Sequence, residues 1–271
     1  MDVETNGVRL HVEVSGQGPP VLLVHGFPDS HRLWRHQVAA LRGAGYSTIA
    51  PDLRGFGASD RPTDAGAYAI AHSVFDLHGV LEQLGHERVH LVGHDWGAVV
   101  AWAFAAMLPE RVDRLVTMSV GHPAALGRSM EQREKAWYML LFQFEEAEEL
   151  LRRDDWALFR GFTRGDGDQE QWLEDLSRPG ALTAALGWYR DNVHPRMQLA
   201  PPVVVPPVAA PTLGMWSTGD HYLVEDGMKA SGSQVTGPWR YERVDDASHW
   251  LQVDQPHVVN DLILEHLQGA S

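Results

Sequence analysis

The residue around which chemistry can be built is Asp95. It stands in Val89-His90-Leu91-Val92-Gly93-His94-Asp95-Trp96-Gly97-Ala98, with one glycine two positions before it and another two positions after. A β-branched and leucine run ends at Gly93, and a long apolar run begins at Gly97. This is the pattern of a nucleophile elbow, a strand-to-helix turn so tight that a Cβ at either flank would clash. Such a turn lifts its central side chain above the sheet edge. The helix that follows aims its N-terminal N–H groups at whatever reacts there. Elbows usually carry serine, and the aspartate changes the chemistry. Serine attacking an sp³ carbon leaves an ether that water does not easily remove. A carboxylate leaves an ester, whose own carbonyl water can then attack. Asp95 therefore points to epoxides or alkyl halides rather than to ordinary esters. Taken alone, the stretch also reads as a helix N-cap aspartate after a buried strand.

Two more residues bear on that choice. Asp220 closes Ser217-Thr218-Gly219-Asp220, after an apolar run at 212–216. His249 lies in Asp245-Asp246-Ala247-Ser248-His249-Trp250, after a second run at 239–244. Each alone reads as a turn or a structural histidine. Together, each after its own strand, they give the nucleophile–acid–histidine order of an α/β-hydrolase triad.

The elements that must position these residues follow from periodicity. Residues 8–14 alternate apolar and polar, as a half-exposed strand does. Residues 21–24 are continuously apolar, as expected of a parallel strand buried on both faces, and end at His25-Gly26-Phe27-Pro28. Ser30 is placed to cap a helix running to about 41 and closed by Gly43. A strand at 46–50 leads into a glycine-rich loop at 52–60. Ser73 and Asp76 have the spacing of a capping box, and Val74, Leu77, Leu81 and Leu84 give the next helix one apolar face, ended by Gly85. The elbow strand, an all-round apolar helix stopped by Pro109 and a strand at 114–120 follow. Strands alternating with helices mean a mostly parallel α/β sheet, with ligands at the carboxyl ends of its strands. His25-Gly26-Phe27-Pro28 and Asp95 both sit at such ends. From 128 to about 192 the pattern is helical, aromatic and acidic, with Glu145, Glu146, Glu148 and Glu149 as a solvated face. It closes in an extended proline-rich connector at 201–207. The strands at 212–216 and 239–244 and a final helix at 256–267 resume the core. The expected division is a core at 1–122 and 210–271, interrupted by a helical lid at 123–209.

Composition narrows the partners. A chain of 271 residues buries a full core, and its formal charge of −14 argues against nucleic acid and anionic membrane. There is no cysteine, hence no disulfide or thiolate chemistry, which fits a reducing compartment. The N-terminus lacks the basic and apolar regions of a signal peptide, and the longest apolar run, 98–108, falls short of the roughly 20 residues of a membrane span. The expectation is a soluble, cytoplasmic protein.

Over essentially its whole length the chain resembles an α/β-hydrolase-fold epoxide hydrolase. His25-Gly26-Phe27-Pro28, the loop 52–60, Gly93 to Gly97, Trp216 to Asp220 and His249-Trp250-Leu251-Gln252 fall where that family has its motifs. The resemblance implies an α/β-hydrolase fold, with a mostly parallel central sheet flanked by helices and an inserted helical lid. It implies Asp95 as nucleophile, His249 as the base that activates water, and Asp220 as the group that orients the imidazole. The backbone N–H groups of Phe27 and Trp96 would form the oxyanion hole. An epoxide leaves as an alkoxide and needs a proton donor, and the family supplies two lid tyrosines. Tyr138, in Trp137-Tyr138-Met139, and Tyr189, in Trp188-Tyr189-Arg190, resemble them. Trp137, Trp188 and Trp250 are expected at an apolar substrate pocket.

The resemblance implies no cofactor and no metal. The implied partners are a small apolar epoxide and water, and a homodimer is left open. His25 and His94 are read as structural, His25 bonded within its turn, and His31 and His36 as surface residues. Haloalkane dehalogenase is the rival reading. That family also follows its nucleophile with tryptophan and takes a second halide donor from an asparagine, here Phe27, or from a lid tryptophan, for which Trp137 and Trp188 are candidates. Fluoroacetate-type dehalogenases place arginines where this chain has Trp96 and Val99, so that reading falls. A catalytically silent ligand-binding member of the fold is the non-enzyme alternative.

Overall fold

The structure, a computed structural model, describes residues 1–125, 129–199 and 205–269. Among these, one sheet holds β1 (Asp2–Thr5), β2 (Val8–Gly16), β3 (Pro20–Val24), β4 (Ser47–Pro51), β5 (Val89–His94), β6 (Val112–Met118), β7 (Thr212–Ser217) and β8 (Trp239–Val244). Their spatial order is β1-β2-β4-β3-β5-β6-β7-β8. β1 and β2 run antiparallel to their neighbours, and every pairing from β4 to β8 is parallel. Val21 to Val24 of β3 are fully buried, which is why that strand reads as an unbroken apolar run.

The chain order fixes where a ligand can bind. From β3 the chain steps outward to β4, then returns to lay β5 on the other side of β3. That reversal opens a crevice at the carboxyl ends of β3 and β5, the usual ligand site of an open α/β sheet. His25 to Phe27 leave β3 there, and Asp95 leaves β5 there. The register pairs Val24 with Gly93 and so sets these two segments side by side.

Helices α1 (Arg35–Gly43), α2 (Ile70–Leu84) and α3 (Trp96–Met107) connect the first strands. Between β6 and β7 lie α4 (Met130–Lys135), α5 (Trp137–Leu141), α6 (Ala147–Thr163), α7 (Gln169–Ser177) and α8 (Ala181–Asn192). Helix α6 consists of two pieces, with non-helical backbone at Arg153 to Trp156. After β7 come α9 (Glu225–Ala230), α10 (Leu251–Asp254) and α11 (Pro256–Gln268), the last packing on α1. No helix among the described residues is long and apolar enough to cross a membrane.

Several local expectations are corrected. Strand β1 carries too short a pattern to be read. Ser30 precedes a 3-10 turn, His31–Trp34, and its side chain makes no capping bond, so α1 starts only at Arg35. The capping box at Ser73 and Asp76 does not form, because α2 already begins at Ile70. The free Ile70 N–H is instead taken by Asn192 Oδ1 at 3.0 Å, from the end of α8. Asp76 has another partner, the buried Arg54. Nε and Nη2 of Arg54 reach the two carboxylate oxygens at 2.7 and 2.6 Å, and Nη1 donates to Ala67 O at 2.6 Å. Glu145, Glu146 and Glu149 are exposed, but Glu148 is half-buried and holds Arg190 through two bonds of 2.8 Å. Positions 201–204 of the proline-rich connector lie outside the described residues.

The Arg54–Asp76 pair ties the glycine-rich loop to α2 in a place water does not reach. Removing one partner of such a pair leaves the other charge uncompensated. Arg54→Leu should therefore cost about 3–5 kcal/mol in urea-induced unfolding. A loss below about 1 kcal/mol would show that the loop does not depend on the pair.

Candidate active site

Asp95 sits on the last turn before α3 with φ 54° and ψ −124°, a strained backbone for a residue with a side chain. The flanking glycines are required by contact, as the sequence suggests. A Cβ on Gly93 would lie 2.4 Å from Gly97 O, and one on Gly97 would lie 2.0 Å from Val24 O. Gly26 is a third requirement that the sequence reading missed, since its Cβ would stand 2.3 Å from Asp95 Oδ1. This close approach lets the Phe27 N–H donate to Asp95 Oδ1 at 2.8 Å. The Trp96 N–H also bonds the carboxylate. The two backbone donors expected of an oxyanion hole thus converge on one carboxylate.

The other Asp95 oxygen, Oδ2, faces His249 Nε2 at 3.4 Å. On the far side of the ring, His249 Nδ1 and Asp220 Oδ2 are 2.8 Å apart. Asp220 Oδ1 accepts the N–H groups of Tyr222 and Leu223 at 2.8 and 2.9 Å, so both of its oxygens are engaged. Helix α4 steadies this loop. Lys135 Nζ donates to Asp220 O at 2.7 Å, and Gln132 bonds Tyr222 O and Val224 N. The carbonyl of His249 accepts His94 Nε2 at 2.9 Å and Ser119 Oγ at 3.0 Å.

The electrostatics follow from burial and pairing. Burial alone would raise the Asp95 carboxyl, but the hydrogen bond and charge of His249, with the Trp96 N–H, hold it below the usual carboxylate range. Burial would lower the His249 imidazole, but the Asp220 charge and hydrogen bond, followed by those of Asp95, raise it to about 10. The resting site is an ion pair, imidazolium against carboxylate. His94 is driven down to about 3 by burial and by the neighbouring His249, which leaves it a neutral donor to the His249 carbonyl.

Two buried tyrosines complete the site. Tyr138 comes from α5 and Tyr189 from α8, with rings 5.9 Å apart. Burial raises the Tyr138 hydroxyl well above its usual range, and the Asp95 charge adds to this. For Tyr189 burial is again the first cause, followed by Tyr138 and Asp95, with a hydrogen bond to the Trp96 side chain opposing them. Both hydroxyls keep their protons as donors.

Asp95, Tyr138 and Tyr189 stand between two spaces. One, of about 460 Å³, is almost wholly apolar and is lined further by Val99, Ala103, Met107, Val120 and Leu223. The other, of about 10 Å³, is bounded by His249, Phe27, Phe162, Tyr222 and Trp250.

The structure corrects part of the expected pocket. Trp137 is half exposed and lines neither space. Trp188 is fully buried, and its indole N–H donates to Arg54 O at 3.1 Å, so it too lines neither. Trp250 does bound the small space, with its N–H on Asp29 Oδ2 at 2.9 Å. Phe162 belongs to the aromatic residues of the lid segment from which the walls of an apolar pocket are expected, whereas Tyr222 was not anticipated, and only its closeness to Asp220 in sequence hinted at it.

His25 is structural, with Nδ1 on Gly26 O at 2.8 Å and Nε2 accepting the Leu53 N–H at 3.0 Å. His31 is more than a surface residue, because its Nδ1 lies 2.8 Å from the buried Asp52 carboxylate, while His36 is half-buried. Among the described residues one group, His11, Glu13 and His31, could bring three metal-ligand atoms within 4.8 Å of one another. None of the three lines either space at Asp95.

Residues 19–256 match the family described as alpha/beta hydrolase fold. The chain is 35% identical to epoxide hydrolase 2 of Caenorhabditis elegans, over 95% of its own length and 77% of the relative's. It is 33% identical to epoxide hydrolase A of Mycobacterium tuberculosis, over 98% of its length and 96% of the relative's. Among solved structures, a mutant of an epoxide hydrolase from Bacillus megaterium superposes with a TM-score of 0.89 at 28% identity, covering 99% of this chain and all of that one.

The raised imidazole makes a prediction about stability. A histidine lifted from 6.5 to about 10 on folding contributes stability that is fully present below the lower value, declines above it and is gone once pH passes the higher. The difference in unfolding free energy between wild type and His249→Gln should therefore shrink as pH is raised from 6 to 11. A difference that stays constant across this range would contradict the resting ion pair.

Proposed function

The chain belongs to the epoxide hydrolases of the α/β-hydrolase fold, and we propose that it opens its substrate to a vicinal diol through an alkyl ester on Asp95. The observation that carries this mechanism is the pairing of an elbow aspartate with two protonated, buried tyrosines across an apolar space. A carboxylate nucleophile and a hydroxyl acid facing it are what an epoxide needs. In the first step an Asp95 oxygen forms a bond to one ring carbon. The carbon–oxygen bond of the ring breaks, its electron pair moves to the ring oxygen, and that oxygen takes a proton from Tyr138 or Tyr189. The helical segment 123–209, which carries both tyrosines, is proposed to act as a cap over the core.

Alkylation neutralises Asp95 and removes the two contributions it makes to the raised pKa of His249. The imidazolium then gives up its proton to the tyrosinate, which returns to tyrosine, and His249 becomes a base only once the ester exists. In the second step His249 takes a proton from water as the water oxygen attacks Asp95 Cγ. The negative charge that develops on the carbonyl oxygen meets the N–H groups of Phe27 and Trp96. Collapse breaks the bond from Cγ to the alkyl oxygen, which takes the proton of the hydroxyl just added to Cγ, and the diol is released. Asp95 returns as carboxylate and His249 as imidazolium, so one epoxide and one water are consumed with no net proton change.

The dehalogenase alternative loses its support. Its second halide donor was to be Trp137 or Trp188, but the first is half exposed and the second is committed to Arg54 O. The Trp96 side chain, the remaining donor, bonds Tyr189.

His249→Gln should retain alkylation and lose hydrolysis. Incubated with styrene oxide, it is expected to gain the mass of one substrate per chain in intact-protein mass spectrometry. Asp95→Ala should gain nothing and make no diol. Wild type should release diol from styrene oxide and no bromide from 1-bromobutane. Diol formation by Asp95→Ala, or bromide release without diol by wild type, would overturn the reading.

A further inference from the structure

The two spaces beside Asp95 differ greatly in size, about 460 against about 10 Å³, and share only Asp95 and the two tyrosines. From this asymmetry, and resting on the reading above, we propose that the small space is the seat of the hydrolytic water and that the substrates are terminal epoxides with their one substituent in the large space. Epoxides carrying groups trans across both ring carbons are excluded.

A cavity of roughly 10–15 Å³ on this measure holds one water molecule, provided that it offers polar partners. The small space meets that need, since its walls include His249 and Asp95. Any water there lies against the imidazole that has to take its proton and the carboxyl that it has to attack. The same position cannot also receive an alkyl or aryl group.

Its walls resist widening because they are fastened. The Tyr222 hydroxyl donates to Phe162 O at 2.9 Å, and the Trp250 N–H to Asp29. The rings of Phe162 and Tyr222 are 5.1 Å apart, and those of Tyr222 and His249 also 5.1 Å. Enlarging the space means breaking these hydrogen bonds as well as separating rings. The large space is walled mainly by aliphatic side chains, which repack at lower cost, and it extends to Met107, which is exposed at the surface.

Substrate geometry does the rest. With the ring oxygen between the tyrosines and one carbon at Asp95, the two ring carbons point their substituents to opposite sides in a trans epoxide. One side is the apolar chamber. The other admits the hydrogens of a CH₂ group and little else.

The test compares kcat/KM of the wild-type protein on styrene oxide, trans-β-methylstyrene oxide and trans-stilbene oxide. One misplaced methyl should cost about 10–200-fold, and the second phenyl more than that. Opening the small space with Phe162→Ala should raise the ratio of trans-β-methylstyrene oxide to styrene oxide turnover by about 10-fold. Phe162→Leu, checked by circular dichroism, serves if the alanine variant does not fold. Trans-stilbene oxide turned over within about 3-fold of styrene oxide would overturn the inference and leave the epoxide mechanism standing. An unchanged ratio in a folded Phe162 variant would overturn the role given to the small space. Inactivity on all three epoxides, with no ester trapped by His249→Gln, would refute the proposed function itself.

Discussion

A carboxylate can be buried only where its charge is met, and the structure around Asp95 is arranged to meet it. The Phe27 N–H arrives from the end of β3, the Trp96 N–H from the start of α3, and His249 from the loop after β8. The first depends on the pairing of Val24 with Gly93. A slip of one residue in that register would turn every side chain of β5 to the opposite face and carry Asp95 away from Phe27. The third depends on Asp220, which holds the far side of the imidazole and raises it enough to carry a proton beside Asp95. The site is thus a chain of three charged groups in which the central one is positive. In the proposed reaction this arrangement times itself, because forming the ester discharges one end of the chain and frees the imidazole to act as base.

The core and the triad were legible because they rest on local rules. A parallel strand buried on both faces is mainly apolar, so β3, β5 and β7 announce themselves. The elbow needs glycine at 93 and 97 for reasons of contact that hold in any such turn. Strand ends place ligand-facing residues, so Asp95, Asp220 and His249, each weak alone, drew notice together through their order, each after its own strand. The reading failed where long-range partners override local preference. Ser73 and Asp76 have capping-box spacing, but Arg54 claims the aspartate and Asn192 supplies the missing acceptor at Ile70. Glu148 looks like part of a solvated acidic run, yet Arg190 from α8 draws it in. No spacing along the chain contains such information.

Tryptophans gave the clearest case of this limit. In sequence, Trp137, Trp188 and Trp250 are equivalent large apolar residues near functional positions. In the fold their indole N–H groups decide their roles. A buried N–H has to find an acceptor, and the acceptor then fixes the ring. Trp188 donates to the backbone of the glycine-rich loop, and Trp250 to Asp29. Neither can donate to a ligand without giving up that bond. They act as fasteners, and the ring they fasten is not always their own, because Trp188 immediately precedes Tyr189 on α8.

The position of Tyr189 beside the apolar space at Asp95 is therefore fixed by hydrogen bonds made elsewhere. Tyr189 is held from below by Trp188 on Arg54 O and from the helix end by Asn192 on Ile70 N and Tyr68 O. Arg54 is itself fixed by Asp76, so the buried ion pair of the core reaches the tyrosine through a single indole. On the other side, Asp29 accepts Trp172 from α7 through one oxygen and Trp250 through the other. Burial raises the Asp29 carboxyl to about 7, against the pull of the two indole N–H groups. One carboxyl group thus joins the inserted helices to the residue that follows His249. The helices between β6 and β7 meet the loops after β3 and β4 through polar bonds inside an apolar interface. Misplaced, each would leave a buried group unpaired at about 1–3 kcal/mol. Apolar contact alone permits sliding, whereas these bonds accept one alignment, and that alignment sets Tyr138 and Tyr189 around the same space as Asp95.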